Sequence, residues 1–137
     1  LPESTRLALR DAEKKTENNT RMNLILALNY SGRSEIIHAV NKIAEDVRLG
    51  IIPNTIDDEL FENYLYTKNI PDPELLIRTS GEHRISNFLL WQTAYTEYYF
   101  TDVLWPEFRA EDLYRAILDF QSRERRFGKT TEQLQKS

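Results

Sequence analysis

Residues 22–50 read MNLILALNYSGRSEIIHAVNKIAEDVRLG and contain the pattern that decides the fold. The run at 22–30 is short and apolar almost throughout, which favours a strand buried on both faces, as in parallel sheets. Gly32 breaks this run, and apolar residues then recur at helical spacing over 34–49, followed by Gly50 where a C-terminal cap is expected. The segment therefore predicts a strand, a tight loop and an amphipathic helix.

The rest of the chain continues this alternation of strands and helices. The predicted elements are a helix in the polar first 19 residues, a helix from a capping box at Thr55 and Asp58 to Tyr66, strands at 75–77 and 98–100, a helix capped by Ser86 with its apolar body at 88–91, and a helix over 111–126. Alternation of this kind predicts an α/β domain with a mainly parallel sheet flanked by helices. Three strands make a thin parallel sheet, so we expect its N-terminal strands to lie outside this chain.

Bulk composition is that of a single globular domain spanning residues 1–137. The net charge of −4 provides no overall field that would attract nucleic acid or anionic lipid. The absence of cysteine excludes disulfides, thiolate metal sites and a thiol nucleophile. No apolar run approaches membrane-spanning length, so we expect a cytoplasmic protein with at most peripheral membrane contact.

Glycine and arginine occur together in the loops after the first two predicted strands, at 29–33 and 78–87. Arg78 and Arg84 carry planar forks of donors that suit phosphate oxygens, and Ser86 adds a hydroxyl. Ligands of open α/β sheets bind at the carboxyl ends of the strands, so this second loop could cradle a diphosphate. Surface pairing of the two arginines with acidic neighbours is the alternative, and spacing alone leaves both open.

The second loop also carries a family resemblance. Residues 78–92, RTSGEHRISNFLLWQ, continued by Ala94-Tyr95, Glu97 and Trp105-Pro106, resemble the signature block of bacterial undecaprenyl diphosphate synthases, which are cis-prenyltransferases. Residues 29–33, NYSGR, are similar to a second family block, usually NYGGR, and residues 126–128 match a C-terminal Arg-x-Gly element. The resemblance implies an enzyme that condenses isopentenyl diphosphate with an allylic diphosphate such as farnesyl diphosphate, using Mg²⁺ as a homodimer.

Residue roles follow from the resemblance position by position. The residues implied to bind the diphosphate of isopentenyl diphosphate are Arg78, Arg84 and Ser86, with Arg126 and Gly128 reaching the partner subunit's active site. Glu97 is the implied Mg²⁺ ligand, and supporting roles fall to Asn29, Arg33 and Glu82. Met22, Leu24 and Leu26 are implied to line the far end of a hydrophobic tunnel for the growing chain.

The family's Met-Asp-Gly-Asn-Gly-Arg motif, which contains its essential aspartate, does not occur in this chain. No catalytic residue is therefore assigned, although His83 could assist proton removal if it is more than an ordinary loop residue. We expect the chain to be the C-terminal part of an enzyme making undecaprenyl diphosphate for cell-wall synthesis, and to be inactive alone. The alternatives are a non-catalytic accessory subunit of a prenyltransferase pair and a diphosphate-binding module without chemistry.

Overall fold

The computed structural model of the chain describes residues 1–123. Within that range the helices are α1 (Glu3–Thr16), α2 (Gly32–Arg48), α3 (Asp58–Glu62) and α4 (Ala110–Ser122), with a 3₁₀ turn over Trp105–Glu107. The strands are β1 (Leu75–Arg78) and β2 (Glu97–Phe100).

Strands β1 and β2 pair in parallel, in a register that sets Leu75 opposite Glu97 and Arg78 opposite Phe100. Backbone hydrogen bonds continue the pairing beyond the strands, from Thr101 N to Arg78 O at 3.0 Å. The parallel pair with flanking helices confirms the predicted α/β class. Because both carboxyl ends lie at the same edge, the loops after β1 and β2 are neighbours.

Helix α2 confirms the helix predicted after the first apolar run, although Ile37 and Val40 of its apolar residues are exposed. Ser31 is its N-cap, and its side chain accepts a hydrogen bond from Ser34 N at 3.3 Å. The buried residues recur every three or four positions and form one stripe along the helix: Gly32, Glu35, Ala39 and Ile43. Gly50 follows the C-cap with a φ of +69°, as expected for a residue that ends a helix. This stripe packs the helix against the loop after β1.

The prediction of a strand at 22–30 is wrong for the described chain. The segment forms no strand and pairs with neither β1 nor β2. Its large side chains are exposed, with Met22 at 77% and Leu24 at 78%. A strand exists only where another backbone accepts its hydrogen bonds, and apolar composition by itself does not supply that partner.

Two predicted helices also differ from those observed. Helix α3 begins after Asp57, whose carboxylate accepts from Leu60 N at 2.9 Å, and it ends at Glu62 rather than near Tyr66. No helix forms over 88–91, because Ser86, Asn87 and Leu89 have φ values of +48°, +64° and +46°. An α-helix of L-residues requires negative φ, so Ser86 is not a helix cap.

Few apolar side chains are fully covered within the described residues, namely Ala39, Ile43, Leu65 and Ala116. Trp105, in contrast, is 72% exposed and Tyr95 is 75% exposed. Such exposed apolar area is typical of surfaces that are covered by further protein. None of the helices in residues 1–123 has the length and apolar character needed to cross a bilayer.

Candidate functional site

Arg78 ends β1 and points its guanidinium toward the loop that follows. Its Nη2 donates to Ser86 Oγ across 3.5 Å. Its Nε is buried and has no hydrogen-bond partner among residues 1–123. A buried donor without an acceptor is costly, and an anion at this edge of the sheet would supply the missing acceptor. Arg78 and Ser86, predicted from sequence to act together, are thus adjacent.

Arg84 lies on the outer side of the same loop, ion-paired to Glu82, with its side chain 67% exposed. The sequence left open whether Arg84 pairs with an acidic neighbour at the surface, and the structure shows such a pair with Glu82. An ion pair this exposed contributes little to stability. An entering anion could therefore compete with Glu82 at small cost. His83 is exposed, and its ring lies 4.9 Å from that of Phe100.

Gly81 allows the loop after β1 to pack closely against the loop after β2. Its N–H donates to Thr101 O at 3.0 Å, and a Cβ added to it would lie 3.0 Å from a carboxylate oxygen of Asp102. Its φ of +66° is also one that residues with a side chain rarely adopt. Glycine is therefore favoured at this position for both a steric and a conformational reason.

Asn87 brings the two polar loops together. Its backbone oxygen accepts from Gly32 N at 2.8 Å, its Oδ1 accepts from Arg33 N at 2.9 Å, and its Nδ2 donates to Ser31 Oγ at 2.8 Å. Arg33 enters this joint through its backbone, while its side chain is exposed. Asn29 has a φ of +55° and lines a neighbouring cavity.

Gly32 is the point of closest approach in this joint. A Cβ at this position would lie 2.9 Å from Leu90 Cγ, 3.1 Å from Asn87 O and 3.2 Å from Leu90 N. Two of these atoms are backbone, so we expect Gly32→Ala to lower the free energy of unfolding of the complete protein by about 2–3 kcal/mol, the upper part of the overpacking range. Chemical denaturation measures this loss.

Gly50→Ala is the matched control for that change, because nothing lies within 4 Å of a Cβ at Gly50 and only its φ of +69° resists substitution. We expect Gly50→Ala to lower the free energy of unfolding by about 1 kcal/mol. Equal stability of Gly32→Ala and the parent would contradict close packing of the loop on α2.

Glu35 was missed by the sequence reasoning. It is fully buried, and its carboxylate accepts hydrogen bonds from the Tyr30 hydroxyl, from Tyr66 N at 2.9 Å and from Gln92 Nε2 at 3.1 Å. Gln92 Nε2 also donates to Thr67 Oγ1 at 2.8 Å. Burial, together with the hydrogen bond to Glu35, raises the pKa of Tyr30 far above that of an exposed tyrosine. The sequence contains no signal for this burial, because the apolar periodicity of α2 favours Ile37 and Val40 over Glu35 as covered residues.

Glu97 lies at the other end of the sheet from the arginine loop. The register sets it opposite Leu75, three residues and therefore roughly 10 Å along the strand from Arg78. Its carboxylate accepts from Arg123 Nη1 at 2.9 Å, and Arg123 also pairs with Asp119. No group of three or more His, Asp or Glu side chains within residues 1–123 could hold a metal ion. The metal-ligand role of Glu97 stays a prediction.

A mostly apolar cavity of about 440 Å³ lies beside Asn29 and Tyr30. Its walls come from the apolar run at 25–30, from the segment at 66–73 and from Phe88, Leu89 and Gln92. Leu26 is part of this lining, whereas Met22 and Leu24 are not. Arg126 and Gly128, the remaining predicted substrate contacts, lie outside the described residues.

The loop that holds Arg78 and Ser86 belongs to a region with known relatives. Residues 1–128 match the prenyltransferase family model described as "Putative undecaprenyl diphosphate synthase". The chain belongs to this family. The resemblance noted in the sequence is thereby confirmed.

Members of the family with curated names are similar over nearly the whole chain. An isoprenyl transferase of Chlorobaculum tepidum is 53% identical over 135 residues, which is 98% of this chain and 51% of that protein. A tritrans,polycis-undecaprenyl-diphosphate synthase (geranylgeranyl-diphosphate specific) of Methanopyrus kandleri is 55% identical over 94% of this chain and 48% of that protein. The chain therefore spans about half the length of the curated relatives it matches.

Solved structures of the family share the fold. Lavandulyl diphosphate synthase from Lavandula x intermedia, crystallised with dimethylallyl diphosphate, superposes with a TM-score of 0.86 and 45% identity over 94% of this chain and 56% of that one. A "probable undecaprenyl diphosphate synthase" from Campylobacter jejuni gives a TM-score of 0.74 at 32% identity over 94% of this chain and 58% of that one. This member of the prenyltransferase family thus shares its fold with these two proteins of known structure.

Proposed function

We propose that this chain forms the part of a cis-prenyltransferase that binds the diphosphate of isopentenyl diphosphate. The observation that carries the proposal is Arg78, with its buried Nε lacking a partner among residues 1–123 and its Nη2 beside Ser86 Oγ. A guanidinium offers two parallel donors to phosphate oxygens, and a hydroxyl beside it offers a third. Arg84, released from Glu82, adds charge at the entrance.

The complete enzyme then joins isopentenyl diphosphate to an allylic diphosphate and lengthens it to undecaprenyl diphosphate, from which the lipid carrier of cell-wall synthesis is made. The printed names of the relatives support this reaction. The allylic carbon loses its diphosphate, the isopentenyl double bond attacks that carbon, and a proton leaves to give the cis double bond. The role of Arg78 and Ser86 is to hold the isopentenyl diphosphate in position for this attack, which is an entropic contribution to rate.

The apolar cavity beside Asn29 supports the proposal that the hydrocarbon part of a substrate binds near this site. Leu26, Phe88 and Leu89 line it, and Phe88 and Leu89 follow Asn87 directly in sequence. An apolar wall adjoining a diphosphate cradle matches the two halves of an isoprenoid diphosphate, one charged and one hydrocarbon. Which chain length the complete enzyme makes would depend on walls beyond this cavity.

Mg²⁺, a homodimer and a cytoplasmic location are further parts of the proposal. Mg²⁺ would screen the charge of the departing diphosphate. The residues described here do not by themselves fit such an ion, because Glu97 is paired with Arg123 and no cluster of three metal-ligating side chains occurs in residues 1–123. The exposed Trp105 and Tyr95 are consistent with a covering protein surface, which a second subunit would provide.

A product assay on the complete protein tests the proposal. Labelled isopentenyl diphosphate is supplied with geranyl, farnesyl or geranylgeranyl diphosphate, and extracted products are resolved by chain length. We expect incorporation that requires both an allylic diphosphate and Mg²⁺ and that is abolished by EDTA. The 137-residue chain alone should show little or no turnover. Failure of the complete protein to incorporate label with any primer would favour a non-catalytic accessory subunit instead.

A further inference from the structure

Asn87 forms hydrogen bonds to three consecutive residues through three of its four polar groups. Its main-chain oxygen binds Gly32 N, its Oδ1 binds Arg33 N and its Nδ2 binds Ser31 Oγ, at 2.8, 2.9 and 2.8 Å. These partners are more than fifty residues away in sequence. One side chain thereby connects the loop after β1 to the start of α2.

The amino terminus of α2 is saturated by these contacts. Of its first four N–H groups, two donate to Asn87, and the other two, from Ser34 and Glu35, donate to Ser31 at 3.3 and 2.9 Å. A helix terminus can bind an anion when these N–H groups are free, and here every one has a protein acceptor. The start of α2 therefore serves as an anchor for the loop and not as an anion cradle of its own.

Asparagine is the residue that fits all the requirements at this position. Its φ of +64° lies in the left-handed region, which glycine and asparagine tolerate best. Glycine would keep the backbone contact but lose both side-chain contacts, and aspartate could accept from Arg33 N but not donate to Ser31. Ser86, immediately before it, is also left-handed at +48° and holds its Oγ 3.5 Å from Arg78 Nη2.

We infer that Asn87 is a positioning residue, which holds the Ser86 hydroxyl beside Arg78 by anchoring the loop to residues 31–33. The inference rests on the proposed function, because it concerns the same diphosphate cradle. Without the anchor, the two consecutive left-handed residues keep their turn hydrogen bond from Phe88 N to Ile85 O at 3.1 Å but lose their attachment to α2, so the loop must be ordered further when the ligand binds. That ordering reduces affinity for the ligand whose diphosphate the loop holds.

The test uses the complete enzyme and separates KM from kcat. Asn87→Gly keeps the left-handed backbone and removes both side-chain contacts. We expect its KM for isopentenyl diphosphate to rise about tenfold, the loss when one charge-assisted hydrogen bond is misplaced. The KM for the allylic diphosphate should stay within about twofold, since it does not depend on this cradle, and any decrease in kcat should be smaller than the rise in the KM for isopentenyl diphosphate. Loss of kcat with unchanged KM would overturn the inference.

A double-mutant cycle with Ser86→Ala decides whether Asn87 acts through Ser86. If it does, adding Asn87→Gly to Ser86→Ala should raise the KM for isopentenyl diphosphate by less than about twofold more. Fully additive increases would overturn the inference. Asn69→Gly is the matched control, because Asn69 is exposed, has a φ of +66° and lies outside the cradle, so its KM should equal the parent's.

Two further variants keep the result interpretable. If Asn87→Gly does not fold, Ser31→Gly removes the acceptor of the Asn87 amide together with the cap of Ser34 N, and it should raise the same KM by a smaller factor. An unchanged KM in Ser31→Gly would then overturn the inference. Arg78→Ala in parallel separates the two proposals: if it also leaves the KM unchanged, the diphosphate site itself has been misplaced, whereas a large effect of Arg78→Ala with none from Asn87→Gly refutes only the anchor.

Discussion

Replacing Arg78 with alanine in the complete enzyme is expected to lower kcat/KM for isopentenyl diphosphate by at least about a hundredfold, the loss of two charge-assisted hydrogen bonds. No other cation in the loop can take over the inner position. Arg84 is 67% exposed and already paired with Glu82. Arg78→Lys restores charge without the planar fork and should recover only part of the activity. Steady-state kinetics with isopentenyl diphosphate as the varied substrate measures both variants.

The same substitution should leave the ligand-free fold nearly intact. Alanine loses the packing of the arginine stem, but it also removes a buried Nε that has no partner among residues 1–123. These effects oppose each other, so we expect the free energy of unfolding to change by less than about 1 kcal/mol. Arg48→Ala, an exposed arginine at the end of α2, is the matched control and should keep full activity. Normal kcat/KM in Arg78→Ala would refute the proposed diphosphate site.

Glu35→Ala is expected to produce the largest loss of stability, about 3 kcal/mol or more in the free energy of unfolding. The substitution leaves the Tyr30 hydroxyl, Tyr66 N and Gln92 Nε2 without their acceptor in a buried site. Each donor deprived of its partner costs about 1–3 kcal/mol, and the volume of the lost side chain adds to this. Urea denaturation of the complete protein measures the change.

Glu35→Gln should lose much less, because Gln92 can adapt to it. The Oε1 of Gln92 is buried and has no partner among residues 1–123. Turning the Gln92 amide over would present this oxygen to the new amide at Glu35, while the Thr67 hydroxyl can donate instead of accept. We expect Glu35→Gln to lower the free energy of unfolding by about 1 kcal/mol.

The control for both changes is Glu45→Ala on the same helix, where the side chain is 47% exposed and pairs with Lys42. It should cost less than about 0.5 kcal/mol. Equal effects of Glu35→Ala and Glu45→Ala would show that the buried network does not stabilise the fold.

Several elements of the fold and of the site were accessible from sequence for physical reasons. The period of α2 and Gly50 after it are local patterns, and they predicted the helix and its end. The apolar runs at 75–77 and 98–100 predicted β1 and β2, because short buried strands are recognised by composition. The arginine loop was predicted because polar residues at the carboxyl end of a strand mark a ligand edge. The family resemblance then supplied the ligand class that is proposed for this loop.

Other features could not be predicted because they depend on contacts between residues distant in sequence. The surroundings of Glu97 cannot be inferred from its own side chain. The parallel register places Glu97 opposite Leu75, and the fold brings it beside Arg123. The run at 22–30 has the composition of a strand, but strand formation requires a paired backbone, which β1 and β2 do not provide.

Local periodicity and side-chain chemistry are sufficient to predict which segments tend to be helical or extended and which loop carries the arginines. They do not predict which face of α2 is buried, because Ile37 and Val40 are exposed whereas Glu35 is covered. The absence of the helix predicted over 88–91 depends instead on contacts between residues distant in sequence. The reason is that the left-handed φ values of Ser86, Asn87 and Leu89 lie where Asn87 docks on residues 31–33. Hydrogen bonds to a distant helix terminus compensate a backbone conformation that local propensity disfavours, and no local pattern records them.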